Sequence, residues 1–338
     1  MFVKLEHCCK YIVLFAFVLG SASSANAGMG AGCASKSQWI LGNSAYSQAV
    51  ATHCEKFLTA QNSCKAHKTW RQNPNGIISY DYSDWNVIKN FANGHGLTPR
   101  CHALVWLEQT PAWFYQLSNS QLRAGAMGAV TAAINNGARH LEIVNEPERG
   151  LGIYEKLGPQ FIGDLYRHAR QRCPSCTLAI NFLNPPSISY IRAIDYPVNV
   201  IGLEAHIGTS VPNWEGWIRE VRAMGYQVLI TEYDQPSTTR EPAQSFAAMA
   251  KRAGVNGFIV WNLVTMPDDS WRRGAPLDYP SMTPNAMYSG LVAGLTGQPT
   301  QPPPSILPPP PTVSPPPPTG TTGKTCIILS FSLTTICY

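Results

Sequence analysis

Two glutamates stand at the ends of short apolar segments, 86 residues apart in the chain. Glu146 follows Leu141-Glu-Ile-Val-Asn, and Glu232 follows Leu229-Ile-Thr. An ionised carboxylate beside an apolar core is unfavourable by several kcal/mol unless a partner or a reaction uses it. If both segments are strands of one parallel barrel, both carboxylates open on the same face. Two carboxylates that meet there are the groups that cleave a glycosidic bond.

The elements that would position these glutamates alternate between short β-rich runs and longer amphipathic runs. The predicted strands are Trp39–Gly42, Phe57–Asn62, Thr98–Val105, His140–Asn145, Thr177–Asn181, Val200–His206, Gln227–Glu232 and Gly257–Trp261. The predicted helices between them include Ser120–Asn136, Pro159–Arg172, Trp214–Met224 and Pro242–Arg252. An open doubly wound sheet alternates in the same way, but no G-x-G-x-x-G follows the first strand. Eight repeats over about 260 residues predict an α/β fold of the (β/α)8 TIM barrel type.

The N-terminus has the features of a secretory signal peptide over residues 1–27. Lys4 and Lys10 precede an apolar run from Tyr11 to Leu19, and Ala25-Asn-Ala27 is a small-residue cleavage pattern. That run is too short to span a bilayer, and no later stretch reaches the required ~20 apolar residues. We therefore expect a secreted, extracellular protein that makes no membrane contact.

Composition changes abruptly after Gly297. Uninterrupted proline runs at 308–311 and 315–318 predict an extended spacer. We assign residues 28–297 to one catalytic domain and 298–324 to a Pro/Thr-rich linker. Residues 325–338 are too few for a domain, and we expect them to be disordered or the stub of a truncated module.

Charge and composition limit the class of partner. Charged residues are 13% of the chain and the formal net charge is +5, with no block of Lys or Arg. This pattern does not indicate a nucleic-acid partner. A surface of neutral polar and aromatic residues suits an uncharged polysaccharide, and we expect a monomer that needs no cofactor.

Six cysteines in the body of an exported chain indicate disulfides. Cys64 and Cys101 lie at the ends of neighbouring predicted strands, so we expect them to pair. This would leave Cys33 with Cys54 and Cys173 with Cys176, although other connectivities remain open. Cys173-Pro-Ser-Cys176 is also compatible with half a zinc site or a redox motif, but no second C-x-x-C completes a tetrahedral site.

Six motifs surround the two glutamates in the sequence. They are Thr59-Ala-Gln61-Asn62-Ser-Cys-Lys65, Arg100-Cys-His102-Ala-Leu-Val-Trp106 with Gln109, Glu142-Ile-Val-Asn145-Glu146, Ile201-Gly-Leu-Glu204-Ala-His206, Ile230-Thr-Glu232-Tyr-Asp234, and Val260-Trp261 with Asp269-Ser-Trp271-Arg. In this order they resemble glycoside hydrolase family 10, the endo-β-1,4-xylanases. The resemblance extends over roughly Gly42 to Leu295. A single motif of this kind is weak evidence, whereas six in the family's order are improbable by chance.

The resemblance implies a role for each matching residue. Glu146 would be the acid/base and Glu232 the nucleophile of a retaining hydrolysis, with Asn145, His206 and Asp234 assisting them. The remaining matches would bind the polysaccharide, with the two C-terminal tryptophans covering the sugar at the cleavage point. These substrate-binding residues would be Gln61, Asn62, Lys65, His102, Trp106, Gln109, Glu204, Trp261 and Trp271.

Several positions depart from the family pattern. Gln61 replaces Glu, Leu107 replaces His and Glu204 replaces Gln, while Asn181-Phe-Leu-Asn184 lacks an aromatic of the family's N-D-Y-N segment. We expect the added charge of Glu204 to approach Glu146 and to shift the pH range of activity upward. The altered pocket leaves open a barrel hydrolase for another β-linked polysaccharide, such as glucan or mannan, or a non-catalytic glycan-binding barrel.

Overall fold

A computed structural model describes residues 29–208, 210–271 and 273–297, together with the backbone of 326–328 and 335–337. The predicted signal peptide and linker lie outside the described residues. The chain divides into two compact units, 1–303 and 304–338. The boundaries assigned above to the domain and the linker remain predictions.

The first unit is a closed barrel of eight parallel strands, which confirms the predicted fold class. Each strand is bonded to its neighbours in the sequence, and the first strand closes the barrel against the last. The strands are β1 (Gly32–Ser35), β2 (Phe57–Ala60), β3 (Thr98–Cys101), β4 (His140–Asn145), β5 (Thr177–Phe182), β6 (Val200–His206), β7 (Gln227–Asp234) and β8 (Gly257–Val260). Because all strands run the same way, their carboxyl ends form one face.

The prediction of the first strand is wrong. Trp39–Gly42 lies in a helix, Ser37–Gly42, which buries Trp39 and Ile40, and the true first strand is Gly32–Ser35. A Cβ on Gly32 would lie 2.8 Å from the Cβ of Phe57, so the close approach of β1 and β2 leaves no room for a side chain there. A four-residue strand of small residues carries none of the β-branched signal by which strands are recognised in sequence.

Helices surround the barrel and bury their apolar faces against it. They are α1 (Ser37–Gly42), α2 (Ser44–His53), α3 (Ala66–Thr69), α4 (Ser83–Gly94), α5 (Asn119–Asn135), α6 (Ile153–Leu157), α7 (Pro159–Arg172), α8 (Ile188–Arg192), α9 (Glu215–Ala223), α10 (Arg240–Ala253) and α11 (Ala286–Thr296). The predicted helices match α5, α7, α9 and α10 within two residues at each end. Short 3-10 turns cover Ala112–Gln116 and Pro147–Arg149, and two small antiparallel ladders join 70–72 to 78–80 and 277–278 to 283–284.

A register shift between β6 and β7 determines which side chains share the functional face. Leu203 is aligned with Ile230, but Glu204 is aligned with Glu232, so Thr231 is skipped. Side chains alternate along a strand, and a shift of one residue therefore changes which pairs lie side by side. After the shift, Glu204 adjoins Glu232 and His206 adjoins Asp234.

Three disulfides link neighbouring segments of the barrel. Cys64–Cys101 joins the ends of β2 and β3, as expected, and the other pairs are Cys33–Cys54 and Cys173–Cys176. The bond between the sulfurs of Cys173 and Cys176 leaves no thiolate to ligate zinc, so the zinc interpretation is not supported.

The second unit contains one short ladder in its described residues. Cys326–Ile328 pairs antiparallel with Thr335–Cys337. These six residues belong to the tail for which the sequence suggests disorder, and their β-prone composition is consistent with the pairing. Across the described parts of both units, no helix has the length and apolar character that a bilayer crossing requires.

Candidate active site

A cleft of about 420 Å³ opens at the carboxyl ends of the barrel strands. All of the predicted site residues except Asp234 line it. Those that do are Gln61, Asn62, Lys65, His102, Trp106, Gln109, Asn145, Glu146, Glu204, His206, Glu232, Trp261 and Trp271. The structure thus brings together side chains from six motifs that are far apart in the sequence.

Glu146 lies immediately after β4 and is 5% exposed. Its backbone adopts a left-handed conformation (φ 51°), and its N–H donates to the carbonyl of Asn181 at 2.9 Å. A non-glycine residue in this region is strained, and such strain is often found at functional sites. The turn directs the side chain into the cleft instead of along the strand.

Arg149 is an unpredicted component of the site. Its Nη1 donates to Glu146 Oε2 at 2.5 Å and to Glu108 Oε1 at 2.8 Å. These hydrogen bonds with Glu146 and then Glu108 raise the pKa of Arg149, so the guanidinium stays charged. The sequence offers no signal for this contact beyond a basic residue three positions after Glu146.

Glu232 occupies the C-terminal part of β7 and is 4% exposed. Its Oε1 accepts from Asn181 Nδ2 at 3.1 Å and lies 3.6 Å from His102 Nε2, while its Oε2 lies 3.4 Å from His206 Nε2. Burial by itself would raise the pKa of Glu232. Interaction with His102 and His206, together with the charge of Lys65, outweighs burial and lowers that pKa, so Glu232 is ionised.

His206 is held between carboxylates on both of its ring nitrogens. Nδ1 is 2.9 Å from Asp234 Oδ2, and Nε2 faces Glu204 at 3.5 Å and Glu232 at 3.4 Å. Burial would lower the pKa of His206, but hydrogen bonds to Asp234, Glu204 and Glu232 raise it to about 12. The ring is therefore an imidazolium. Asp234 lies behind it, outside the cleft lining.

Glu204 approaches a different carboxylate from the one expected. Its Oε1 accepts from Asn181 Nδ2 at 3.1 Å, the same nitrogen that bonds Glu232 Oε1. Glu232, its register partner, is thus its main acidic neighbour, and Glu146 is a lesser one. The reason is the register shift, which was not visible in the sequence.

Asn181 is the second residue that sequence reasoning missed. It is fully buried at the end of β5, where its Nδ2 contacts both carboxyls and lies 2.8 Å from the side-chain amide of Asn145. Its Oδ1 accepts from Thr231 at 2.6 Å, which orients the amide. A polar residue ending an apolar strand is the signal that marked the two glutamates, and it could have identified Asn181 too.

Asn145 lies between the acidic and aromatic parts of the site. Besides its contact with Asn181, its amide is 3.2 Å from both Glu142 Oε1 and Trp106 Nε1. The orientation that places the amide oxygen toward the indole N–H and the nitrogen toward the carboxylate satisfies both groups. Asn145 is 2% exposed, so these contacts fix its position.

The buried ion pair of Arg100 and Glu142 fixes the position of His102. Glu142 Oε1 is 2.5 Å from His102 Nδ1, and Glu142 Oε2 accepts from Arg100 Nη2 at 2.8 Å. Arg100 and Glu142 are fully buried, and Arg100 also donates to Thr59. Because Glu142 holds Nδ1, the other ring nitrogen of His102 is directed toward Glu232.

Breaking this ion pair is expected to destabilise the fold. Arg100→Met leaves Glu142 as a buried charge without its cation, and we expect the free energy of unfolding to fall by about 3–5 kcal/mol. Urea denaturation measures the loss. The double variant Arg100→Met/Glu142→Leu removes both charges and should recover much of the stability. A single-variant loss below about 1 kcal/mol would show that the pair is not needed.

The predicted sugar-binding side of the cleft is built around Lys65. Its Nζ donates to Gln109 Oε1 at 2.7 Å and lies 4.5 Å from the ring centroid of Trp106 and 5.5 Å from that of Trp261. Burial lowers the pKa of Lys65, and the nearby carboxylate of Glu232 partly opposes this. Lys68, three residues further along the chain, instead faces exposed Asp84 at 3.9 Å.

Three polar atoms near this side have no hydrogen-bond partner among the described residues. They are Gln61 Oε1, Asn262 Nδ2 and Asp269 Oδ2. Gln61 Nε2 donates to Asn262 Oδ1 at 3.0 Å, and Asp269 Oδ1 pairs with Lys36 at 2.9 Å. Buried polar atoms are rarely left unpaired. Their concentration here suits a region where water or a hydroxyl-rich ligand completes the hydrogen bonding.

Trp261 and Trp271 also line the cleft. Trp271 is 40% exposed and donates from Nε1 to Asp234 Oδ2 at 2.6 Å, whereas Trp261 is buried and packs edge-on against His102. The hydrogen bond fixes the indole plane of Trp271 while leaving much of its surface open. An exposed, oriented indole is suited to stacking on a sugar ring.

Two groups of side chains have the donor types of a metal site. They are His102 with Glu142 and Glu232, and Glu204 with His206 and Glu232. A metal needs an unprotonated imidazole nitrogen. Both nitrogens of His206 carry protons at its raised pKa, and Nδ1 of His102 is committed to Glu142. The group of Glu204, His206 and Glu232 is therefore poorly suited to a cation. Hydrogen bonding and charge pairing explain the contacts in both groups.

Comparison with known proteins gives a family match over most of the chain. A family model described as glycosyl hydrolase family 10 matches residues 21–291. Endo-1,4-beta-xylanase 3 of Hypocrea jecorina is 26% identical over 262 residues, covering 70% of this chain and 74% of that protein. Endo-1,4-beta-xylanase B of Humicola insolens is 25% identical, covering 57% and 60% respectively. Exoglucanase XynX of Acetivibrio thermocellus is 24% identical over 56% of this chain and 20% of its own length.

Solved structures share the fold at low sequence identity. Penicillium canescens endo-1,4-beta-xylanase XylE superposes with a TM-score of 0.68 and 18% identity, covering 79% of this chain and 94% of that one. A glycosylated endo-beta-1,4-xylanase from Gloeophyllum trabeum has a TM-score of 0.65 and 17% identity, covering 76% and 92%. At these identities the superpositions establish the barrel and nothing finer.

Proposed function

The chain belongs to glycosyl hydrolase family 10 and is a glycoside hydrolase, and from this premise we propose that it cleaves internal β-1,4-xylosidic bonds of xylan with retention of configuration. The observation that carries the proposal is the environment of Glu232. This buried carboxylate faces the His206 imidazolium, His102 and the Asn181 amide, in the same cleft as Glu146. A carboxylate held ionised by such donors is suited to attack a sugar carbon.

In the first step, Glu232 attacks the anomeric carbon while Glu146 gives its proton to the departing oxygen. A covalent glycosyl-enzyme forms, the glycosidic bond breaks, and Glu146 becomes ionised. In the second step, Glu146 removes a proton from water, the water oxygen attacks the anomeric carbon, and Glu232 is released as a carboxylate. Both steps use the same two carboxylates, and neither consumes a cofactor.

Arg149 is hydrogen bonded to two carboxyl groups, those of Glu146 and Glu108. When Glu146 is ionised, Arg149 Nη1 pairs with it. When Glu146 carries a proton it no longer forms an ion pair, and Glu108, bonded to the same nitrogen, keeps the guanidinium paired. Arg149 thereby keeps a charged partner in both protonation states.

The substrate proposal is supported by the chemistry of the cleft wall and by the named activities of the relatives. Trp261 and Trp271 offer ring surfaces, and Lys65 with Gln109 offers donors and acceptors for hydroxyls of a neutral sugar. A related barrel hydrolase acting on glucan is the second candidate, since one relative is named an exoglucanase and Gln61 and Glu204 alter the pocket. We further propose secretion, supported by the three disulfides, and action as a monomer.

The test compares polysaccharides directly. The purified protein is incubated with glucuronoxylan, arabinoxylan, carboxymethylcellulose and mannan, and new reducing ends are measured beside a Glu232→Ala variant. We expect new reducing ends from the two xylans only and none with the Glu232→Ala variant. NMR of the first product should show the β-anomer, as retention requires. Release only from carboxymethylcellulose or mannan would support the second candidate. Binding to xylan without release would indicate a non-catalytic barrel.

A further inference from the structure

Glu204 and Glu232 form a pair of buried carboxyl groups that share their donors. They are register partners on β6 and β7, and they are 2% and 4% exposed. Asn181 Nδ2 lies 3.1 Å from an oxygen of each, and His206 Nε2 lies 3.5 Å from Glu204 and 3.4 Å from Glu232. The family motif has Gln where this chain has Glu204, so the second carboxyl is a feature of this protein.

The shared donors hold too few protons for two carboxylates. Nε2 of His206 carries one proton, and Nδ2 of Asn181 carries two. The shared donors therefore offer at most three protons to the four oxygens of the pair, and His102 adds a donor only beside Glu232. Two buried carboxylates at such a site cannot both remain ionised without a large energetic penalty. A proton held by one member of the pair resolves the shortage.

The surrounding charges indicate which member holds that proton. Around Glu232 are His102 at 3.6 Å, His206 and the ammonium group of Lys65, all of which favour its anion. Around Glu204 the charged groups are Glu232 on β7, Glu146 after β4, His206 on its own strand and the more distant Lys65. Asp234 acts on the pair only through His206. Glu204 thus has more acidic neighbours and fewer cations than Glu232.

We propose that Glu204 is a positioning residue that acts as a neutral carboxylic acid, so that it and Glu232 together carry one negative charge before Glu232 attacks the sugar. This rests on the proposed role of Glu232. The titration behaviour agrees, because burial and then the charge of Glu232 raise the pKa of Glu204 well above its usual range, with His206 opposing only in part. The pKa of Glu232 moves in the opposite direction. Divergence of this kind is typical of a pair that shares one proton.

A loss of activity on the alkaline side follows from this arrangement. As pH rises, Glu204 loses its proton, and a second negative charge appears beside Glu232. Both carboxylates then compete for His206 and Asn181, and Glu232 is no longer held in one orientation. A glutamine at this position cannot ionise, so it removes this titration while keeping a similar shape.

The kinetic test uses 2,4-dinitrophenyl β-xylobioside, whose leaving group departs without a proton. Its kcat/KM therefore does not depend on proton donation by Glu146. We expect the ratio of kcat/KM for Glu204→Gln to that of the wild type to rise about tenfold for each pH unit above the point where wild-type activity begins to fall. A ratio that is constant across pH would overturn the proposal. Circular dichroism and thermal melts confirm that the compared proteins are folded.

A second test does not depend on activity. In protein labelled with ¹³C at glutamate side-chain carboxyls, the resonance that is missing from Glu204→Gln identifies Glu204, and we expect it to have the chemical shift of a protonated acid at pH 7. A Glu204 resonance that is ionised at pH 7 would refute the neutral acid. If the wild type hydrolyses no glycoside, the proposed function fails, whereas this spectrum still decides the protonation of Glu204.

Discussion

Glu232→Ala is expected to reduce kcat on xylan by about 10⁵-fold, the largest effect of any substitution considered. The variant has no group that can form the glycosyl-enzyme, and the donors of His206, His102 and Asn181 lose the carboxylate that they surround. Initial rates of reducing-end release measure the loss. Glu241→Ala, an exposed glutamate in the first turn of α10, serves as the matched control and should retain wild-type rates.

The stereochemistry of rescue distinguishes a nucleophile from a merely structural carboxylate. Azide can occupy the space left in Glu232→Ala and attack the anomeric carbon of an activated aryl xylobioside directly. That single displacement inverts the configuration, so the product should be the α-glycosyl azide. Formation of the β-azide, or undiminished turnover without azide, would contradict the assignment of Glu232.

Glu146→Ala is expected to reduce kcat on xylan by about 10³–10⁴-fold, because the departing sugar oxygen then leaves without a proton. A dinitrophenyl leaving group needs no such proton, so the glycosyl-enzyme should still form and then accumulate. A burst of dinitrophenolate equal to the enzyme concentration, followed by slow turnover, measures this. The exposed residue Glu155 on α6 supplies the control, Glu155→Ala, and should show no burst.

Azide acts at a different step in this variant. It replaces the water that Glu146 would activate and attacks the glycosyl-enzyme, so two inversions give the β-glycosyl azide. The two variants are therefore expected to give azides of opposite configuration. An α-azide from Glu146→Ala would exchange the proposed roles of the two glutamates.

Much of the barrel could be predicted because its signals are local. Apolar β-prone runs such as His140–Asn145 and amphipathic runs such as Pro159–Arg172 are recognised within a window of a few residues. The first strand was missed because Gly32–Ser35 is short and built of small residues, while Trp39 and Ile40 mimic a strand by packing one face of a helix. Gly32–Ser35 is a strand because it pairs with β2 on one side and with β8 on the other, contacts that lie far from it in the sequence.

Site residues could be predicted from the sequence where they lie at or near the carboxyl ends of strands. Thirteen of the fourteen predicted residues line the cleft, because parallel strands place their carboxyl ends on one face. Asp234 lies behind His206, where it acts on the imidazole and not on the cleft itself. Arg149 was not predictable, because its pairing with Glu146 depends on the left-handed turn at that glutamate.

The class of fold and the two carboxylates at the strand ends can be recognised from residue type and periodicity, and the family from the order of its motifs along the chain. The interactions among the carboxyl groups depend on tertiary packing. The register shift between β6 and β7 places Glu204 beside Glu232, and Asn181 from β5 bonds to both. Protonation depends on distances of 3–4 Å between groups on different strands, and no local pattern in the sequence specifies such distances.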